Sequence, residues 1–128
     1  MEKCLLLDAS AIIAAIQNEN GSDFVKERIE QCAISTVNWA EVLQKLSARG
    51  IDTVLVEQNL KAMGLIIIDF NQTDARLAAD LWPQAKSFGL SLADRACLAT
   101  GLRLNAQVVT ADRIWQKLDL KLEIVLIR

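Results

Sequence analysis

The chain has 128 residues, fourteen Lys and Arg against sixteen Asp and Glu, a net charge of −2 and no histidine. Near-neutrality argues against indiscriminate nucleic-acid binding through a basic surface, and the missing imidazole excludes Ser–His–Asp triads, Cys–His pairs and His-ligated zinc. An apolar fraction of 52%, with one Pro and five Gly, excludes a disordered or low-complexity chain.

The length predicts one domain over residues 1–128 with a single hydrophobic core. The apolar content exceeds what so small a core absorbs, which predicts an exposed apolar face for a partner or a second subunit. Cys4, Cys32 and Cys97 are odd in number, scattered and without a C-x-x-C pair, so they read as buried free thiols of a reducing compartment. No segment approaches the ~20 apolar residues of a membrane span, and the N-terminal apolar run, broken by Asp8, is too short for a signal peptide. The expected location is the cytoplasm.

Residues 4–7 read as a short buried strand, followed by a turn at Asp8-Ala9-Ser10 and a helix over 11–16. Ser22 starts a helix running to about residue 31, and 33–35 is a brief strand. Residues 37–48 form a strong helix stopped by Gly50, a second helix covers 52–63, and Gly64 breaks it. The β-branched run at 65–68 predicts a strand covered on both faces. Helical spacing returns over 73–82, with Pro83 stopping or bending it and 84–88 as an extension. A helix at 91–104, a strand at 107–110, a short helix at 114–117 and a strand at 122–127 complete the chain. Strands alternating with helices predict a three-layer α/β/α sandwich around a mostly parallel sheet, without repeat or linker.

Four acids, Asp8, Glu41, Asp94 and Asp112, stand at strand ends or at helix starts. In a parallel sheet those positions converge on one edge, where gathered carboxylates remain ionised only with a cation or several donors among them. Oxygen-only ligands select hard cations such as Mg²⁺ or Mn²⁺, whose bound water is the economical nucleophile where no histidine exists. Each acid also fits a local role. Asp8 and Asp112 can cap the following helix, and Asp94 completes Ser-x-x-Asp with Ser91. Glu41, three residues after Asn38, can close a capping box of its own. Asp69 ends a strand and Asp74 opens a helix in the same manner, and spacing alone does not separate them from the four.

The segments Leu7-Asp8-Ala9-Ser10-Ala11, Asn38-Trp39-Ala40-Glu41-Val42, Leu90-Ser91-Leu92-Ala93-Asp94-Arg95-Ala96-Cys97-Leu98-Ala99 and Val109-Thr110-Ala111-Asp112-Arg113-Ile114-Trp115 resemble, in order, the four acidic motifs of PIN-domain nucleases. The last two are similar to the VapC-type toxin branch. The resemblance implies that Asp8, Asp94, Asp112 and Glu41 hold one or two Mg²⁺ or Mn²⁺ ions, Glu41 as ligand or as base, with Ser10 and Thr110 supporting them. It leaves Asp69 and Asp74 structural. It implies an endoribonuclease toxin of a prokaryotic type II toxin–antitoxin pair that cuts structured RNA, in this branch often a transfer RNA, to inhibit translation. A small antitoxin partner and a homodimer are expected with it.

Arg95 and Arg113, beside two of the acids, are expected to contact the RNA backbone. Trp39, Leu43, Leu46, Val54, Leu55 and Leu60 on the paired helices are expected to offer a groove to an amphipathic partner helix. Two further readings stand beside this one. A phosphoacceptor signalling receiver also carries an acidic Mg²⁺ pocket, although Asp8 stands alone where that family pairs its acids. The other is a catalytically silent scaffold of the same fold, acting as a binding or regulatory protein.

Overall fold

Alternation along the strands decides the layers. In β1 (Leu5–Leu7), Leu5 and Leu7 pack into one core cluster and Leu6 into the other, as period-two geometry requires of a strand covered on both sides. The computed structural model describes residues 4–128. Its five strands, β1, β2 (Cys32–Ser35), β3 (Ile66–Ile68), β4 (Gln107–Thr110) and β5 (Glu123–Leu126), form one sheet in the order β3-β2-β1-β4-β5. Every pairing is parallel, so the expected mostly parallel sheet is wholly so.

On one face lie α1 (Ala9–Ile16), α2 (Ser22–Glu27), α3 (Thr36–Ala48) and α4 (Thr53–Ala62), with Ile12, Val25, Trp39, Val42, Leu46 and Leu60 buried against Leu5, Leu7, Ile34 and Val109. On the other, α7 (Leu92–Leu104) and the short α6 (Trp82–Ala85) bury Cys97, Leu98 and Ala85 with Leu6, Val108 and Trp115. The helix α5 (Gln72–Asp80) packs along α7. The expected single core is thus two clusters divided by the sheet. Among the described residues no helix is long and apolar enough to cross a membrane.

Several expectations shift for identifiable reasons. Helix α1 begins at Ala9 without the expected turn, because the Asp8 side chain caps it by accepting from the Ala11 N–H. The helix expected over 22–31 stops at Glu27, and a 3-10 turn (Ile29–Gln31) drops Ile29 into the core ahead of β2. Around Pro83 the expected break and extension are both present: α5 ends at Asp80, Pro83 sits in the first turn of α6, where its missing N–H costs nothing, and a 3-10 turn (Lys86–Phe88) follows.

The strand β3 is an edge, not a covered interior strand, and Ile66 is 59% exposed. A β-branched run reports strand propensity, whereas position in the sheet is set by chain topology. The thiols of Cys32 and Cys97 are buried as expected, while Cys4 is half-buried. Cys4 packs with the cluster on one sheet face and Cys32 with that on the other.

Contact between α7 and β4 is close enough to test. A Cβ added at Gly101 would lie 2.6 Å from Cγ2 of Val108, a rigid, buried methyl. Helix propensity favours Ala over Gly by about 1 kcal/mol, but overpacking costs about 1–3 kcal/mol. Gly101→Ala is therefore expected to lower the urea midpoint, and an unchanged or raised midpoint would show that α7 yields freely.

Candidate active site

After β1 the chain winds through β2 and β3 to one side of the sheet, then returns to place β4 on the other side of β1. The carboxyl ends of β1 and β4 therefore flank the switch point of the sheet, where an α/β fold opens a crevice. Asp8 follows β1 directly, and Asp112 lies two residues beyond β4.

The Asp8 carboxylate is buried and held at both oxygens. Its Oδ1 accepts from Ser10 Oγ at 2.6 Å and the Ala11 N–H at 3.1 Å, and its Oδ2 accepts from Thr110 Oγ1 at 2.8 Å. The two hydroxyls are aimed by the loop after β4, where the Ala111 N–H donates to Ser10 Oγ and the Asp112 N–H to Thr110 Oγ1. Each hydroxyl has one proton and spends it on Asp8, so both adopt a single sense. The second lone pair of Oδ2 has no donor among the described residues.

Burial pushes the Asp8 pKa up to about 6. Donation from Ser10, Thr110 and Ala11 restrains the rise, and the charge of Asp94 adds to it.

Asp94 stands in the first turn of α7, its backbone N–H donating to Ser91 Oγ while its Oδ2 accepts from the Ser91 N–H at 2.9 Å. The capping role is real and occupies one oxygen. Glu41 departs from expectation. The cap of α3 is Ser35, which accepts from the Val37 N–H, so Glu41 closes no box and instead pairs with Lys45 at 3.3 Å. Asp112 is exposed and caps the 3-10 helix Arg113–Lys117 through the Ile114 N–H.

A buried thiol shows how these acids lie. Cys97, inside α7, has its pKa raised well above the ordinary thiol value, first by burial and then by the charges of Asp8, Asp94 and Glu41. All three acids raise it in the same sense, from three different elements. The Asp112 backbone, though not its carboxylate, is tied to Asp8 through the Thr110 hydroxyl, which accepts from the Asp112 N–H and donates to Asp8. Even so, among the described residues no three His, Cys, Asp or Glu side chains approach closely enough to enclose a metal ion. Asp94, Asp112 and Glu41 each use one oxygen locally, whereas Asp8 is engaged at both, and separated carboxylates of this kind suit a hard cation that keeps several waters better than a dehydrated protein cage.

Asp74, open to either reading in the sequence, is buried beside Thr100 and clamped by Arg103, with N–O distances of 2.5 and 3.1 Å. Burial alone would raise its pKa, but donation from Arg103, the Asn71 N–H and Thr100 holds it below the ordinary carboxylate value. Asp69 is exposed. Arg95, expected on the RNA backbone, instead donates to the Ala78 carbonyl and lies over the Trp82 ring at 5.1 Å, securing α7 to α5 and α6. Arg113 is exposed beside Asp112.

The residues expected to line a partner groove divide. Trp39, Leu46 and Leu60 are core and Leu43 packs against it, whereas Val54 and Leu55 stand 63% and 51% exposed on α4. Two site-proximal residues escaped the sequence reading. Lys45 could have been found from its i, i+4 spacing to Glu41. Asn38, buried between α3 and α7, was visible only as a capping candidate.

The architecture is that of a doubly wound parallel α/β domain with a buried aspartate at the end of its first strand. The chain belongs to the PIN-domain family, whose family model matches residues 5–121. No curated protein sequence matches it.

Among solved structures, the chain is similar to DNA-bound VapBC from Salmonella typhimurium, with TM-score 0.75, 14% identity, and 99% of this chain and 100% of that one covered. It is also similar to VapBC-1 from nontypeable Haemophilus influenzae, with TM-score 0.72, 18% identity, and 97% and 98% covered. A toxin–antitoxin complex from Klebsiella pneumoniae matches with TM-score 0.70 and 23% identity, covering 84% of this chain and 86% of that one. At these identities the likeness concerns the fold.

Proposed function

We propose that the protein is a metal-dependent endoribonuclease, the toxin of a prokaryotic type II toxin–antitoxin pair, working in the cytoplasm as a single nuclease domain on structured RNA such as a transfer RNA. The observation that carries this reading is the buried Asp8 carboxylate at the end of β1, held by the Ser10 and Thr110 hydroxyls beside the switch point of the sheet, with Thr110 also accepting from the Asp112 N–H. Membership of the PIN-domain family and likeness to VapBC structures support it.

Asp8, Asp94 and Asp112 would hold Mg²⁺ or Mn²⁺, with Glu41 as a further ligand or as the base. Such an ion, when bound, supplies an activated water and charge stabilisation for phosphodiester hydrolysis. Ser10 and Thr110 fix the direction in which Asp8 presents its free lone pair. Lys45 pairs with Glu41 until substrate arrives, and Arg113 contacts the RNA backbone. The exposed apolar residues Val54 and Leu55 on α4 suit a small antitoxin, and a homodimer accords with the apolar content.

Sequencing RNA ends after induced expression tests the reading. Discrete new ends are expected with the unaltered chain and none with Asp94→Asn, in which the amide oxygen still accepts from Ser91. Identical ends in both would sink the assignment. One observation favours a silent scaffold, namely that no three acids close on a common point. Intact RNA with Mn²⁺ present and any partner removed would select that reading.

A further inference from the structure

Asn38 carries an amide where the packing alone would take a hydrocarbon. It lies in the first turn of α3, 1% exposed, and its Nδ2 donates to the Ala93 carbonyl in the first turn of α7 at 3.0 Å. Its Oδ1 is buried and has no partner among the described residues.

In stability terms this is a poor exchange. A hydrogen bond contributes about 1 kcal/mol net, whereas a buried unsatisfied oxygen costs about 1–3 kcal/mol. Asn also forms helix less readily than Leu, which has nearly its shape. What the amide does achieve is geometric. Glu41 is one turn further along the same face of α3, and the accepted carbonyl belongs to the peptide joining Ala93 to Asp94.

We infer that Asn38 is a positioning residue, setting the register of α3 against α7 and with it the separation of the Glu41 and Asp94 carboxylates around the cation. This rests on the reading of the site as a metal-dependent nuclease centre. It predicts that stability and cation affinity respond differently to substitution. Asn38→Leu removes the donor and the orphaned oxygen together. Asn38→Gln keeps the donor but crowds the interface.

The test measures Mn²⁺ affinity by electron paramagnetic resonance, with thermal melts of the metal-free chain alongside. Asn38→Leu is expected to melt at or above the unaltered chain yet bind Mn²⁺ about tenfold more weakly, as loss of an outer hydrogen-bond partner does at metal sites. Asn38→Gln is expected to melt lower and hold more of the affinity. Unchanged affinity in both variants, or affinity that follows melting temperature across them, would overturn the inference. So would a Leu variant that fails to fold, since the amide would then be a requirement of the fold. Absence of Mn²⁺ binding by the unaltered chain would overturn the reading of the site itself, and this inference with it.

Discussion

Asp8→Asn is expected to abolish RNA cleavage and, in the presence of a chelator at neutral pH, to make the protein more stable. The folded-state pKa of Asp8 is raised to about 6, from an ordinary aspartate value near 4, because burial disfavours its charge. The folded state then binds the proton more tightly than the unfolded one. The associated stability is fully present below about pH 4, is lost as pH rises to about 6 and is absent above that.

At neutral pH the metal-free protein therefore carries an ionised group at a cost of about 3 kcal/mol, which the neutral amide removes. Asn fits the network, accepting from Ser10 and Ala11 at one atom and donating to the Thr110 oxygen at the other. A rise in melting temperature on the order of 10 °C follows for a domain of this size. Added Mg²⁺ should restore the unaltered chain and leave the variant unmoved. A variant that melts lower in chelator at pH 7 would show that the hydrogen bonds to the carboxylate outweigh its desolvation.

Asp74→Ala is expected to give the largest loss of stability without a direct effect on chemistry. It removes one half of the capping box with Asn71 and leaves Arg103, whose side chain is only 24% exposed, without its carboxylate. Breaking a buried ion pair from one side costs about 3–5 kcal/mol. The urea midpoint should fall accordingly, while cleavage per folded molecule, measured in the cold, stays near that of the unaltered chain.

The pH dependence runs opposite to that of Asp8. With its folded-state pKa lowered, Asp74 contributes stability that is present above about pH 4 and is lost as pH falls through the folded value. An Asp74→Ala protein should therefore show a shallower loss of stability on acidification. Retention of the full acid slope would place it on other carboxylates.

What was legible in the sequence was local. The alternation of strands with helices, the Asp8 cap and the Ser91–Asp94 box each depend on residues a few positions apart, and each stands in the structure. Less legible were features that depend on distant chain. Asp74 looked like Asp94 in its immediate neighbourhood, and only Arg103, 29 residues away, assigns it to the packing of α5 on α7.

The edge position of β3 is a consequence of topology, which β-branched residues do not report. Arg95 was expected on substrate from adjacency to Asp94, but successive helical residues point in different directions, and its guanidinium reaches Ala78 and Trp82. Glu41 had the opposite fate. The capping role that weakened it in the sequence belongs to Ser35, and the Glu41 carboxylate pairs with Lys45 instead.

Cleavage of a labelled structured RNA by the purified chain, followed with Mn²⁺ and with chelator for the unaltered protein and for Asp94→Asn, decides whether these acids form an ion-dependent nuclease centre. Discrete cuts that require the ion are expected, with a loss on the order of a hundredfold or more in the variant at an unchanged melting temperature. Cutting that persists in chelator, or that proceeds in Asp94→Asn at the unaltered rate, would contradict that assignment.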